Sequence, residues 1–525
     1  MPRNVTRAGM PRQQLAPIPI NTPGARGLNL QAQNSVMPPE WVIEASNMIV
    51  DPNGRLAARG GLTSVTTTPS AGAIRQIFEH RTATGTSTSI VAWDGGLSAS
   101  VSAPSTDLVG TVASTASGRW YFVNFQDKCI GFQAGQGPIV RTGGTFSQIV
   151  AASGSTPTGG VGTAAFGRVW GMNADGHTLQ WCALGDETNW AAGDAGSINL
   201  QHVWPLGNDT VTAITGFNGT LCIFGTRQIL MYGCPDATVL GLDVTQLQIV
   251  DAIEGVGCIS QWTLASVGGE VEASDLLFCS KIGIQSLQRL LVNKSRPITQ
   301  LSKHCRDALV AMLQSEVANN VSGFYSPTNG FYALSMPVSG YTWVADMRHR
   351  YDDPDGDVDV APITRWPIAP WTMVEFANRT VYMANVTGTV ATYGPGNDYG
   401  SNFQVQLRLP WMDLGQDLAA RLKVLKRIGA LLYARTALNV TFQWFIDFRT
   451  SAAGTAQRTT PTVSVSEWGT AQYNINEWAG GLALTLLNCD GSGEGQYFSL
   501  LITATADSSF AVQQANLLAK LLRLA

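Results

Sequence analysis

A short hairpin module recurs along most of this chain and constrains its fold more than any other feature. Each copy has a strand rich in aromatic and aliphatic residues, a short turn, and a second strand in which apolar and polar positions alternate. Period-2 alternation around turns such as Asp94-Gly95 and Asp175-Gly176 is typical of β-hairpins. The seven copies are TSIVAWDGGLSAS from Thr88, GRWYFVNFQDKCIGF from Gly118, GRVWGMNADGHTLQW from Gly167, GTLCIFGTRQILMYG from Gly219, SDLLFCSKIGIQSL from Ser274, NGFYALSMPVSGYTWVADM from Asn329 and NRTVYMANVTGTVATYG from Asn378.

The spacing of these modules favours a radial repeat. From Gly118 onward, successive copies begin 49, 52, 55, 55 and 49 residues apart. A β-propeller uses about 40–50 residues for each four-stranded blade. Seven hairpins therefore predict an all-β fold containing a six- or seven-bladed β-propeller. A β-sandwich or a string of unrelated β-domains is the alternative.

The chain divides into three parts on the same reasoning. Residues 1–26 are rich in proline and predict an extended N-terminal arm, which either docks on a neighbouring subunit or frays. Residues 27–400 hold the repeats and predict the propeller. One helix is inserted near 302–320, where Ser302 is a candidate N-cap. Residues 401–525 alternate over longer strands and predict a separate antiparallel, sandwich-like domain. The last segment, from Phe510, fits a strand or a helix equally well.

Composition limits the function. Only 13% of the 525 residues are charged, against about 25% in an ordinary soluble protein. The formal net charge is −4, whereas proteins that recognise nucleic-acid sequence are usually basic, so the charge excludes that class. No apolar run reaches the roughly 18–20 residues that span a bilayer, so stable membrane insertion is not predicted. The eight cysteines form no CxxC pair and predict buried, reduced thiols.

Motifs for nucleotide and nucleophile chemistry are weak. No Gly-Lys dipeptide occurs, which excludes the usual phosphate-binding loop. The segment GVGTAAFG from Gly160 matches a dinucleotide pattern but leads into a predicted strand and not into a helix. No GxSxG elbow is present, and His304 beside Cys305 is a neighbouring pair on a predicted helix, where adjacent side chains point in different directions.

The acidic run YDDPDGDVD is the one weak metal candidate. Asp353, Asp355, Asp357 and Asp359 alternate around Gly356, which is a pattern that can converge oxygen ligands on calcium. The register does not match an EF-hand loop, so a solvated turn between strands is the competing interpretation. A glycosidase would need paired carboxylates at a cleft. The acids, Asp186 and Glu187 among them, show no spacing that identifies such a pair.

Four stretches resemble the tail nozzle proteins of short-tailed bacteriophages, a family also called tail hub or packaged-DNA stabilisation proteins. They are EASNMIVDPNGRLAARGG from Glu44, GHTLQWCALGDETNW from Gly176, ITRWPIAPWTM from Ile363 and LRLPWMDLGQDLAARLKVLKRIG from Leu407. The first reads as two short strands joined by the turn Pro52-Asn53-Gly54. In the second, a strand ends in an acidic turn that is closed by Trp190.

The resemblance implies a structural protein of the virion tail, assembled in the host cytoplasm. A hexameric ring would attach below the adaptor that sits on the portal, form the exit channel for double-stranded DNA, help to retain the packaged genome, and dock fibres or spikes. It implies no catalysis and no cofactor, and it assigns no residue to a channel or gate. The alternative is a phage-borne propeller that hydrolyses or binds glycans.

Overall fold

The structure is a computed structural model. It describes residues 16–32, 37–104, 112, 118–233, 247–268, 275–292, 300–352, 360–413, 421–461 and 483–521.

Strands dominate these described residues. In chain order the strands are β1 (Ala16–Asn21), β2 (Glu44–Ser46), β3 (Met48–Val50), β4 (Leu56–Ala58), β5 (Gly61–Ser64), β6 (Ile74–Arg81), β7 (Ser87–Trp93), β8 (Gly96–Ser98), β9 (Tyr121–Phe125), β10 (Lys128–Phe132), β11 (Ile139–Thr142), β12 (Thr145–Gln148), β13 (Gly162–Ala165), β14 (Arg168–Met172), β15 (Thr178–Trp181), β16 (Gly196–Asn199), β17 (Val211–Phe217), β18 (Thr220–Gly225), β19 (Gln228–Gly233), β20 (Gln248–Glu254), β21 (Ala265–Val267), β22 (Asp275–Ser280), β23 (Gly283–Ser286), β24 (Ser322–Ser326), β25 (Phe331–Met336), β26 (Tyr341–Asp346), β27 (Ile363–Trp366), β28 (Thr372–Glu375), β29 (Val381–Ala384), β30 (Val390–Gly394), β31 (Phe403–Arg408), β32 (Lys423–Ala434), β33 (Asn439–Ile446), β34 (Gly454–Thr459), β35 (Ala483–Asp490), β36 (Glu494–Gly495), β37 (Phe498–Ala506) and β38 (Ala511–Leu521). The helices are α1 (Leu287–Val292) and α2 (Arg306–Ser315).

The chain forms two compact units. The propeller unit comprises Gly60–Gly394 and Asp398–Gly400, and the sandwich unit comprises Met1–Arg59, Pro395–Asn397 and Ser401–Ala525.

Seven small antiparallel sheets make up the described part of the propeller unit. In chain order they are β6–β8, β9–β12, β13–β16, β17–β20, β21–β23, β24–β27, and β28–β30 with β5. We number them first to seventh. The all-β prediction with a six- or seven-bladed propeller is confirmed.

All seven predicted hairpins are present as adjacent, paired strands, from β7–β8 to β29–β30. The turns use the chemistry that the sequence indicated. Gly95 and Gly176 have φ of 110° and 69°, a region that side chains with a Cβ adopt at a cost. Local alternation and turn residues therefore determine these hairpins.

The first strand of each sheet lies toward the axis of the propeller. β6 contacts β9, β9 contacts β13, and β13 contacts β17, while β24 contacts β28 and β28 returns to β6. A 3-10 turn at Gln261–Thr263 contacts both β17 and β24 and continues the ring past the fifth sheet. The side-chain amide of Gln261 accepts from the Ile214 N–H at 2.7 Å and donates to the Ile214 carbonyl at 2.9 Å, as a neighbouring strand would.

One strand from the start of the unit closes the ring. β5 pairs with β30, and the register aligns Gly61 with Gly394 and Ser64 with Ala391. The seventh sheet therefore combines the two ends of the propeller unit. This pairing gives the backbone N–H and C=O groups on the edge of β30 partners in a strand about 330 residues away in sequence.

Apolar side chains fill the spaces between neighbouring sheets. Between the third and fourth sheets, the ring centroids of Trp170 and Trp181 lie 5.4 Å apart, and both rings pack with Ile214 and Ile223. A similar cluster joins the fourth and fifth sheets, where Phe224 and Phe278 lie 5.1 Å apart. Burying side chains of this size contributes about 1.5–3 kcal/mol each.

The helix predicted near residues 302–320 is present but is shorter than the predicted range. α2 occupies Arg306–Ser315, with 3-10 turns at Lys303–Cys305 and Ala318–Asn320. The prediction that Ser302 caps this helix is wrong, because its hydroxyl accepts the N–H of Ile284 at 3.1 Å. The six-residue α1 was not predicted, because so short a segment carries little helical periodicity. In the part of the chain that is described, no helix has the length and apolar character to cross a bilayer.

The sandwich unit contains two antiparallel sheets. One has the order β3-β4-β38-β32-β35, with β1 on β38 and β36 on β32, and the other contains β2-β31-β37-β33-β34. The last segment of the chain is thus strand β38. Burial alternates along β31 and β37, so each presents one apolar face. Side chains from both sheets, Leu56 and Leu407, meet around Gly24.

The assignment of residues 27–59 to the propeller is wrong. Residues 44–46 pair with 406–408, and residues 56–57 pair with 511–512, so this segment belongs to the sandwich unit. Pairing over more than 350 residues leaves no local trace in the sequence.

The predicted N-terminal arm is extended over Ala16–Asn21, where β1 pairs with β38 of the same chain. Residues 1–15 lie outside the described part. β1 is an edge strand, which accommodates prolines because a proline has no N–H to donate to a second neighbour.

Candidate functional site

A buried arginine closes the axis of the propeller unit. Arg119 precedes β9 in the second sheet and is 8% exposed. Its guanidinium donates to the carbonyls of Asn319 at 2.9 Å, Val321 at 3.3 Å and Trp371 at 3.0 Å. It also donates to the Ser322 hydroxyl at 2.6 Å and to the Gln76 side chain at 3.4 Å. These acceptors belong to the first, sixth and seventh sheets or to the segments that lead into them.

The surroundings of Arg119 have opposing electrostatic effects. Burial lowers the pKa of its guanidinium, and the nearby charge of Arg75 lowers it further. Acceptors on three sheets favour the charged form, because hydrogen bonds to a charge stabilise it. Arg75 is itself bound by Asp94 and lies over the Trp371 ring, 4.3 Å from the centroid.

An indole from the 3-10 turn before β21 also contacts Arg119. The Trp262 ring lies 4.8 Å from the Arg119 guanidinium, and its Nε1 donates to the Trp120 carbonyl at 3.1 Å. Tyr121 packs edge-on against the same indole, 6.3 Å between centroids, and burial raises the pKa of its phenol. We call Arg119, Trp262 and Tyr121 the axial plug. It joins sheets on opposite sides of the ring near the beginnings of the inner strands.

A cavity opens where inner strands end. Its volume is about 660 Å³. It is lined by the ends of β6, β24 and β28 and by β21, which belong to the first, fifth, sixth and seventh sheets. The lining combines aromatic, hydroxyl, carboxylate and guanidinium groups: Tyr325, Phe376, Ser266, Thr328, Glu79, Glu375, Arg81 and Arg379.

Both carboxylates in this cavity are held by donors from neighbouring strands. Glu375 accepts from the hydroxyls of Ser326 and Thr328, both at 2.5 Å. Glu79 accepts from the Ser87 hydroxyl at 2.6 Å and from the Ala377 N–H at 3.0 Å, and Arg81 lies 3.5 Å away. The propeller thereby brings two glutamates, 296 residues apart, to one concave surface.

The calcium candidates Asp353, Asp355, Asp357 and Asp359 lie outside the described residues. The flanking Tyr351 and Val360 pair through two backbone hydrogen bonds of 3.0 and 2.8 Å. Within the described ranges, no three His, Cys, Asp or Glu side chains converge in a way that could hold a metal ion.

The predicted acidic turn after β15 is a structural turn. Asp186 accepts from the hydroxyl and N–H of Thr188 at 2.7 and 3.0 Å, and these bonds lower its pKa. Glu187 accepts from Lys128 at 2.5 Å. Trp190 closes the turn by donating from Nε1 to the Glu187 carbonyl at 2.8 Å. The two acids are therefore used in local architecture.

The other sequence candidates also occupy structural positions. Residues 162–165 of the glycine-rich segment form β13, which leads to a second strand, β14, as the sequence indicated. Cys305 is fully buried, and burial raises the pKa of its thiol well above the usual range. A thiol in that state is a poor nucleophile.

Sequence reasoning did not single out the axial plug or the pair Glu79 and Glu375. Each residue stands in an ordinary strand pattern, and their convergence depends on the order of sheets around the ring. The one local trace of the plug is an arginine directly before an aromatic strand, in GRWYF from Gly118.

Comparisons with known proteins return solved structures of low sequence identity. No protein-family model matches the chain, and no curated protein matches it. Among solved structures, BamB from Moraxella catarrhalis is 9% identical with a TM-score of 0.33, over 63% of this chain and 99% of that one. The Pan2 WD40 domain of Neurospora crassa is 8% identical with a TM-score of 0.32, over 64% and 94%. The extracellular domain of BT4673 from B. thetaiotaomicron is 10% identical with a TM-score of 0.38, and the match covers 64% of this chain and 40% of that chain.

Proposed function

We propose that this chain is a structural subunit of a short bacteriophage tail, namely a nozzle or hub protein that assembles as a ring around the DNA exit channel. One observation carries the proposal. Two of the stretches that resemble this family, at 44–61 and 407–429, are far apart in sequence yet meet in the sandwich unit. Glu44 pairs with Arg408, and Ala45 pairs with Leu407.

The residues at this junction have the character of a structural motif. Asn47 adopts a φ of 55° and donates from its amide to the Gln404 carbonyl at 2.8 Å. Its side-chain oxygen accepts from Arg59 at 2.8 Å, and the Arg59 guanidinium lies 4.2 Å from the centroid of Phe403. Arg59 is 1% exposed. A resemblance concentrated on buried structural residues fits an assembly protein better than a catalyst.

The axial plug bears on the route of DNA in this proposal. Arg119 and Trp262 contact one another and segments of several sheets where the inner strands begin, so among the described residues these side chains occupy space between the inner strands. In the assembly that we propose, DNA passes along the axis of the subunit ring, between copies of the chain. The propeller then acts as a solid building block.

Charge is divided unequally between the two units. The propeller unit has 17 Lys and Arg residues against 26 Asp and Glu residues, and the sandwich unit has 16 against 11. Each phosphate neutralised by a cation adds binding free energy and would slow DNA passage. We therefore expect surfaces of the propeller unit along the DNA path.

Electron microscopy of the assembled protein tests the proposal. The purified full-length chain is mixed with the adaptor–portal complex of its phage, and the adaptor–portal complex alone is the control. We expect a ring with a central channel at the distal end of the adaptor. A chain that stays monomeric and never joins the complex would contradict the proposal.

The two glutamates of the cavity favour one second candidate, a phage-borne glycan hydrolase or glycan-binding module. Hydrolysis of a glycosidic bond uses two carboxyl groups that flank the bond. Release of reducing sugar from host polysaccharide, abolished by E375Q or E79Q and retained by the exposed-site control E254Q, would favour catalysis. Particles assembled into tails without such release would favour the nozzle.

A further inference from the structure

We infer that the cavity lined by Glu79 and Glu375 is a binding site for a neutral saccharide, which it holds without cleaving. This inference rests on the second candidate above, glycan binding at this cavity, and does not depend on the tail assembly. The cavity, about 660 Å³, is within the range of about 300–1,000 Å³ that is typical of small-molecule sites. Such sites combine aromatic walls with a few fixed polar groups, and this cavity has Tyr325 and Phe376 beside four charged side chains.

The polar groups are fixed by contacts within the protein. The two hydroxyl donors on Glu375, from Ser326 and Thr328, come from the end of β24 and the turn after it. The donors on Glu79 come from β7 and from the turn after β28. Because an ionised carboxylate has about four lone-pair sites, each glutamate retains capacity to accept from a ligand. Groups held in position before binding reduce the entropy cost of binding.

The balance of charge selects the class of ligand. Two carboxylates, Glu79 and Glu375, and two guanidiniums, Arg81 and Arg379, line the same cavity. The four formal charges cancel, so the lining gives no net preference for an anion or for a cation. A neutral ligand with many hydroxyl groups can donate to the first pair and accept from the second. Saccharides have this chemistry, and their apolar ring faces can pack on aromatic side chains.

The backbone at Arg379 adopts a conformation that favours glycine. Arg379 has a φ of 63°, and its N–H donates to the Phe376 carbonyl at 2.8 Å in the turn after β28. Glycine adopts this conformation without steric cost. The exposed guanidinium at the cavity is therefore carried by a residue whose backbone conformation has a steric cost for a side chain with a Cβ.

The same hydrogen bonds argue for binding without turnover. A glycosidase needs one carboxyl group that carries a proton for the leaving oxygen. Both oxygens of Glu375 accept from hydroxyl donors, and Glu79 accepts from a hydroxyl and an N–H. Each carboxylate is thus arranged as an acceptor.

Titration of the purified chain with defined trisaccharides tests this inference. The probes are maltotriose, cellotriose and chitotriose as neutral ligands, with trigalacturonic acid and a chitosan trimer as charged controls. Binding is followed by isothermal titration calorimetry and saturation-transfer NMR, and released reducing ends are measured in parallel. We expect saturable binding of at least one neutral trisaccharide, weak or no binding of the charged ones, and no new reducing ends.

The substitution R379G separates loss of binding from loss of folding. It removes the guanidinium and relieves the backbone, so we expect an unchanged or higher Tm together with at least fivefold weaker saccharide binding. The matched control is N218G, at an exposed turn position with a φ of 45° outside the cavity lining, which should leave binding unchanged. Absence of binding by every neutral probe, preference for a charged probe, release of reducing ends, or equal binding by R379G and wild type would each overturn the inference.

Discussion

Replacing Arg119 by methionine tests whether the axial plug stabilises the propeller unit. The two terminal nitrogens of the guanidinium, which carry four hydrogens, lie within hydrogen-bond distance of five acceptors in or next to three sheets, so at least one hydrogen is shared between two acceptors. One hydrogen bond to a charged group contributes about 1.5–3 kcal/mol, but these five share a single charge whose burial opposes them. Methionine keeps most of the volume and leaves the acceptors without their donor. We expect R119M to lower the free energy of unfolding by about 3–4 kcal/mol.

Urea denaturation followed by tryptophan fluorescence measures this effect, since Trp262 lies against the guanidinium. R119K keeps the charge but loses the planar fork, so its midpoint should be intermediate. The control is R227M at an exposed arginine that donates to one carbonyl at 3.3 Å, where a change within about 0.5 kcal/mol is expected. A midpoint for R119M equal to that of the wild type would refute the reasoning, because the network would then contribute nothing beyond packing.

Three further predictions concern other parts of the propeller unit. Burial would raise the pKa of Asp209, but hydrogen bonds from Thr226, Arg227 and Thr210 outweigh it and lower the pKa. The contribution of this carboxylate to stability is therefore complete above about pH 4 and is lost in more acid solution. D209N should lower Tm at pH 7 and shrink the Tm difference between pH 7 and pH 3, and an undiminished difference would count against this role. A Cβ at Gly257 would lie 2.3 Å from the Gly225 carbonyl oxygen, so G257A should lower the free energy of unfolding by about 1–3 kcal/mol in urea denaturation. The control G144A, which has open space around it, should leave this free energy almost unchanged. A larger loss for G144A than for G257A would contradict the packing. Burial raises the pKa of the thiols of Cys182, Cys222 and Cys258 to about 11. Iodoacetamide at pH 8 should therefore label these thiols about a hundredfold faster after denaturation, as measured by mass spectrometry. Similar labelling rates in the native and denatured protein would be inconsistent with their burial.

The axial plug and the cavity lie at different positions along the inner strands of the propeller unit. Arg119 and Trp262 join sheets near the beginnings of the inner strands, whereas the ends of β6, β24 and β28 leave space for a ligand. The axial plug and the cavity at which we infer saccharide binding thus lie at different ends of the same strands. Variants in the cavity can consequently be made without disturbing the network at the axis.

The sequence by itself determined the hairpins. Period-2 alternation and turns such as Asp175-Gly176 depend on residues within about ten positions of one another, and all seven hairpins follow from them. The spacing of the modules also predicted the propeller class. The helix near residue 306 was predicted, but the predicted cap, Ser302, was wrong, because its hydroxyl makes no capping bond and accepts an N–H from the neighbouring β23.

The tertiary structure alone decided four features. β5 closes the ring on β30, and residues 44–46 leave the repeat region to pair with 406–408. Arg119 meets acceptors roughly 200 to 250 residues away, and Glu79 and Glu375 reach one cavity from different sheets. Short-range alternation specifies which face of a strand is apolar, but it carries no information about which distant strand or side chain will lie beside it. That choice is made by closure of the ring and by the packing between sheets.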